Sequence, residues 1–111
     1  MPRQSVTDMP VSKIYPLLLR KVERKGRTKE ELDAVIEWLT GYKIKEVDPD
    51  TPYGVFWENA PSLNPLASLI RGKVCGIAVE TIEDPVMRNI RRLDRLVDEL
   101  AQGRPLEKIL R

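Results

Sequence analysis

Residues 84–103 read DPVMRNIRRLDRLVDELAQG, and this stretch decides the fold. Asp84 before Pro85 is an N-cap followed by proline at the first helical position, and Gly103 supplies a stop. A helix is therefore predicted from Pro85 to about Gln102. Val86, Ile90, Leu93, Val97 and Leu100 recur at intervals of four, three, four and three, and Met87, Leu96 and Ala101 widen the apolar face. A face this broad belongs either in the core or against a second copy of the chain. Ile90, Leu93, Val97 and Leu100 are the positions expected to form such a dimer seam.

Working outward, Pro105 to Leu110 reads as a last short helix whose Leu106, Ile109 and Leu110 are docked rather than frayed. Upstream, Gly72, Val74, Gly76, Ile77, Val79 and Ile82 suggest a hairpin or extended structure over 73–82. Asn64-Pro65 starts a turn or two carrying Leu66, Leu69 and Ile70, and Thr51-Pro52 reads as N-cap and first position of a brief helix through Val55, Phe56 and Trp57 that ends near Pro61. Asp48-Pro49-Asp50 is turn chemistry, and Tyr42, Ile44 and Glu46 alternate as a short strand would.

The N-terminal third reads as two tightly joined helices. Thr28 and Glu31 form a capping box ahead of Leu32, Val35, Ile36 and Leu39, a single apolar stripe closed by Gly41. Before it, Ser12 is the expected N-cap of a helix carrying Ile14, Leu18, Leu19 and Val22, with Pro16 in its first turn and Gly26 at its end. The fold expected is thus a mainly α, small helical bundle of five or six helices with room for a minor β-hairpin or short strand pair. Its organisation is an N-terminal tail over 1–12 and one helical domain over 13–111.

Composition narrows the function. At 111 residues with 41% apolar and 32% charged residues, the chain suits one soluble domain with a real core, and no uncharged apolar run approaches the ~18 residues of a membrane span. Histidine is absent and there is one cysteine, so a disulfide framework and any Cys–His or His-based catalytic pair are excluded. Activation of the Cys75 thiol would need a helix N-terminus or a neighbour such as Lys73, and its surroundings favour a small, buried, inert thiol. No secretory leader is evident, so the cytoplasm is the expected compartment. Five amide side chains, nine prolines and an arginine excess over lysine of 11 to 8 fit a heat-adapted source. No cofactor, metal site or small-molecule partner is expected.

Charge is distributed unevenly. Residues 13–29 hold seven cations against Glu23 alone, residues 30–62 hold eight carboxylates against Lys43 and Lys45, and residues 85–111 carry a net +3. Arg20, Lys21, Arg24, Lys25, Arg27, Arg88 and Arg92 are the candidate contacts for an anion or a nucleic acid. The competing reading is structural. Lys21, Arg24 and Lys25 suit the negative end of the first helix, and Asp94, Asp98 and Glu99 can pair with Arg91 and Arg95 within the long one.

Two blocks, KVERKGRTKEELDAVIEWLTGY over 21–42 and NPLASLIRGKVCGIAVETIEDPVMRNIRRLDRLVDELAQGRPLEKILR over 64–111, resemble a bacterial family, the domain-of-unknown-function family numbered 2200. The strings WLTGY, VCG and IEDPVM…LDRLVDEL carry the resemblance, and residues 43–58 depart from it. It implies no activity. The functional expectation is accordingly a small cytoplasmic helical protein that acts through protein association as a homodimer, without intrinsic catalysis. The alternative is a nucleic-acid-binding protein that uses the basic helix pair of 13–40.

Overall fold

A computed structural model describes residues 6–74 and 76–110. Among them are five α-helices: α1 (Val11–Glu23), α2 (Lys29–Thr40), α3 (Tyr53–Glu58), α4 (Pro85–Ala101) and α5 (Leu106–Ile109). Four short 3-10 turns and a two-strand antiparallel sheet, β1 (Lys73–Val74) with β2 (Ile77–Ala78), complete the fold. The mainly α bundle with a minor hairpin is as the sequence predicts.

α4 is the axis of the bundle. Its Asp84 side chain accepts from the Val86 amide at 3.0 Å, and Pro85 occupies the first turn as expected. From Val86 to Ala101 every residue is at least partly buried, because α1, α2, α3, α5, β1 and the 3-10 turn Val79–Thr81 all pack on it. This corrects the expected dimer seam. Ile90, Leu93, Val97 and Leu100 are between 0 and 3% exposed within the chain's own core, so no second copy can reach them. Periodicity announces an apolar face without saying which element covers it.

The start of the chain is corrected as well. The Val11 amide donates to the Thr51 carbonyl (2.9 Å), Ser12 N–H to Pro49 O (2.9 Å), and Tyr53 N–H to Met9 O (2.8 Å). Val6 and Met9 pack on the core, so residues 6–12 are a docked segment and not a tail. α1 accordingly begins at Val11, with Pro10 in the N-cap position and no side-chain cap from Ser12. Pro16 then falls inside the helix rather than in its first turn, removing the bond that an N–H there would make to the Ser12 carbonyl. At the other end Gly26, at φ +82°, gives the Schellman closure: its N–H bonds Glu23 O and the Arg27 N–H bonds Val22 O, both at 3.0 Å.

α2 has both halves of its capping box, Glu31 N–H to Thr28 Oγ1 at 3.2 Å and Thr28 N–H to Glu31 Oε1 at 3.1 Å. Leu32, Val35, Ile36 and Leu39 are buried as the stripe predicts. Gly41 ends the helix at φ +82°, where a Cβ would lie 2.9 Å from Ser62 Cβ, so a side chain there meets both strain and a neighbour.

The alternation of Tyr42, Ile44 and Glu46 does not make a strand. Glu46 N–H bonds Lys43 O (2.8 Å) and Val47 N–H bonds Ile44 O (3.1 Å), a single 3-10 turn. Thr51 does not cap α3: Pro52 takes the N-cap position without a side-chain bond, and the helix ends at Glu58, short of Pro61. Tyr42, Tyr53, Phe56 and Trp57 nevertheless form one aromatic cluster, with the Tyr42 and Phe56 rings stacked at 4.3 Å and Phe56 edge-on to Trp57 at 5.4 Å. The C-terminal segment is docked, with Ile109 fully buried. Cys75, expected to be a buried inert thiol, lies outside the described residues.

Candidate functional site

The seven basic candidates divide into those the fold uses and those it leaves outward. Lys21 forms an ion pair with Asp98, joining α1 to α4. Arg27 contacts Glu31 Oε2 through Nη2 at 2.5 Å and donates through Nη1 to the carbonyls of Leu100 (3.1 Å) and Arg104 (2.8 Å). Arg88 donates to the carbonyls of Ile82 (2.9 Å) and Glu83 (3.0 Å). Arg92 donates to Asn89 Oδ1 at 3.1 Å. Arg20, Arg24 and Lys25 are exposed and make no ion pair among the described residues. The seven are thus in different surroundings, and Arg27 in particular closes the α4 C-terminus, where the helix dipole favours a cation.

Arg27 also governs a titration. Its guanidinium, together with the Thr28 amide, holds the Glu31 carboxyl down to about 2 from an ordinary 4.5. A carboxyl depressed in the folded state adds stability above its unfolded value, and that stability is lost as pH falls from about 4.5 toward about 2. Glu31→Gln is expected to remove this dependence. Urea midpoints of the wild type should fall across that pH window more steeply than those of the variant, and parallel acid limbs would contradict the assignment.

α1 and α2 meet through Tyr15, whose hydroxyl donates to Asp33, while Lys29 reaches Asp33 at 2.7 Å and stands 5.7 Å from the Tyr15 ring centroid. Burial, then Asp33, push the Tyr15 hydroxyl up to about 12. On the outer side of α1, Lys13, Leu17, Arg20 and Arg24 fall on one helical face and are all exposed. Beside α2 an open groove of about 370 Å³ is lined by Glu30, Asp33, Ala34, Glu37, Lys43, Ile44 and Lys45. It mixes both signs of charge and has no apolar floor beyond Ala34 and Ile44.

The most distinctive surface was not among the candidates. Residues 59–70, NAPSLNPLASLI, contain no charged residue in a chain that is 32% charged. Ser62 N–H bonds Thr40 O (3.1 Å), Asn64 N–H bonds Leu39 O (3.0 Å), and Asn64 Nδ2 donates to Trp38 O (3.1 Å). These bonds stitch the segment to the end of α2. Asn64 Oδ1 then caps the 3-10 turn Pro65–Leu69 through the Leu66 amide at 2.9 Å. Ala67 and Ile70 point into the core, leaving Leu66 and Leu69 outward at 41% and 53% exposure, with Leu63 at 42% just before the turn. In a 3-10 helix residues three apart eclipse, so Leu66 and Leu69 make one apolar ridge. The absence of charge over twelve residues was the signal available in the sequence.

Among the described residues no three metal-ligating side chains gather, and no helix is long and apolar enough to cross a membrane. The profile of a family described as an uncharacterized protein conserved in bacteria, DUF2200, matches residues 5–111. The fold is similar to the crystal structure of an uncharacterized protein, SP1917, at a TM-score of 0.90 and 42% identity, covering 98% of this chain and 93% of that one. No curated protein matches the chain.

Proposed function

We propose that this chain, which belongs to the bacterial family DUF2200, works by association with a second copy of itself and carries out no reaction of its own. The observation that carries the reading is the ridge of Leu63, Leu66 and Leu69, exposed on a charge-free segment that backbone bonds hold in place. Interface centres are depleted of charge and apolar, and a ridge of this kind on a folded monomer marks an interaction site. Leucine against leucine is also self-complementary across a two-fold axis, as a homodimer requires. The single cysteine suits a reducing compartment, and the cytoplasm is the setting of the proposal.

Sedimentation velocity at about 100 μM is the test. A dimer is expected at both low and high salt, because apolar contact is not screened. Leu66→Glu with Leu69→Glu should give a monomer with an unchanged circular dichroism spectrum, since both side chains are on the surface and such changes cost about 0.5 kcal/mol or less. A monomeric wild type overturns the reading. Arg20, Arg24 and Lys25, exposed and without ion pairs among the described residues, favour a second reading, nucleic-acid binding by the outer face of α1. Polarisation of labelled mixed-sequence DNA would support it if affinity fell steeply between about 50 and 200 mM salt.

A further inference from the structure

Two arginines of α4 have no counter-charge among the described residues. Arg88 and Arg92 are one helical turn apart and therefore neighbours on one face. Arg88 is held by two main-chain carbonyls, those of Ile82 and Glu83, and Arg92 by the side-chain oxygen of Asn89, all of them neutral acceptors. The Arg92 Nε is buried and has no hydrogen-bond partner among the described residues. Burial, and then the charge of Arg88, act against the Arg92 cation and lower its pKa. A partly buried like-charged pair is electrostatically uphill, and its place in the first half of a helix, toward the positive end of the dipole, does not relieve it.

The rest of this face does not neutralise the pair. Glu99, 1% exposed, is engaged two turns further on by Arg95 (3.2 Å) and Arg104 (3.6 Å). The loop that covers the face approaches so closely that a Cβ on Gly72 would lie 3.0 Å from Arg95 Nε, and it brings Arg71 and Lys73, both exposed and without ion pairs among the described residues. Glu80 and Glu83 in the same loop are exposed and form no ion pair among the described residues, and the Asp84 carboxylate caps the helix. A buried guanidinium N–H without an acceptor beside a second cation is the arrangement that an oxyanion completes, with charge-assisted bonds about twice as strong as neutral ones.

We propose that the Arg88–Arg92 step of α4, flanked by Gly72 and by the main chain of Ile82 and Glu83, is a binding site for a small oxyanion of phosphate or carboxylate chemistry. Arg92 supplies its Nε–H and an Nη, Arg88 supplies the Nη that the main-chain carbonyls leave over, and Asn89 fixes the Arg92 guanidinium in place. The site is separate from the leucine ridge and does not depend on self-association.

The test is thermal unfolding in inorganic phosphate and in acetate, each against chloride at matched ionic strength. A ligand that binds only the folded state raises the midpoint as its concentration passes its dissociation constant. Phosphate is expected to raise the midpoint of the wild type by several degrees over chloride. Arg92→Gln should lose that increment whatever its own midpoint, and Arg92→Lys, which keeps the charge without the planar fork, should keep only part of it. An equal increment in acetate would widen the ligand class to carboxylates, and an increment in phosphate alone would narrow it to phosphates. Equal increments in the wild type and Arg92→Gln, or none in either anion, would overturn the site. A shift of the Arg92 Nε–H resonance on addition of phosphate is the companion measurement, which a general effect of salt on stability would not produce.

Discussion

Phe56→Ala is expected to lower the unfolding free energy by about 3–5 kcal/mol, the range for removing a buried aromatic side chain. Phe56 is 2% exposed and lies at the centre of the aromatic cluster, stacked on Tyr42 at 4.3 Å and on Tyr53 at 5.8 Å, with Trp57 edge-on. Its loss forfeits burial and also ring contacts worth about 0.5–1.5 kcal/mol each beyond it. The cavity has little chance to collapse, because the Tyr42 hydroxyl is tied to the Phe56 carbonyl at 2.8 Å and Tyr53 N–H to Met9 O. In a domain whose whole stability is about 5–15 kcal/mol, such a loss moves the thermal midpoint by ten degrees or more on the order-of-magnitude scale of small domains. Val55→Ala on the same helix, 39% exposed, is the control, with an expected change of about 0.5 kcal/mol or less. Similar midpoints for the two variants would show that the cluster does not hold α3 as described.

The second large effect is expected at Glu99. Its carboxylate is enclosed between Arg95 and Arg104, and removing one partner of a buried ionic group costs about 3–5 kcal/mol, because the remaining charges keep their desolvation without their counter-charge. Arg95 and Arg104 retain 25% and 46% side-chain exposure, which puts Glu99→Ala at the lower end of that range. The structural readout should be local as well. Glu99 and the Arg27 bonds to the carbonyls of Leu100 and Arg104 together fix the chain beyond α4. Amides of residues 104–110 should therefore exchange with solvent much faster in the variant, while those of α2 slow or hasten only with global stability. Unchanged protection over 104–110 would assign their docking to Ile109 alone.

Much of this architecture was legible because local side-chain chemistry announced it. Asp84-Pro85 and Gly103 bound α4, Thr28 and Glu31 bound the start of α2, and Asn64-Pro65 marked the 3-10 turn, each through bonds made within a few residues. The docking of residues 6–12 had no such signature, since it depends on main-chain bonds to Pro49, Thr51 and Tyr53, which any sequence can make. The apolar face of α4 was plain, yet whether it met its own chain or a copy depended on how α1, α2 and α3 wrapped it. The surroundings of the basic residues were hidden for a related reason. Arg27 stood in the sequence only as a candidate anion contact, and nothing local revealed that it would pair with Glu31 and reach carbonyls more than seventy residues away. The leucine ridge escaped notice because its signal was a lack of charge rather than a pattern.

The central position of α4 also has a temporal meaning. α1 is complete at Glu23, whereas the helix on which it packs begins only at Pro85. At translation rates of 5–20 residues per second, roughly 3–12 s separate the two. During that interval Val22, Leu32, Val35, Ile36 and Leu39 belong to a nascent chain whose principal packing partner has not been made. The helical hairpin of α1 and α2 can form early, but its apolar side must stay in water or on a chaperone until α4 arrives. Acquisition of the native state is thus timed by the synthesis of residues 85–101, and substitutions that weaken α4 should reduce soluble yield in the cell more than equal losses of stability placed in α5.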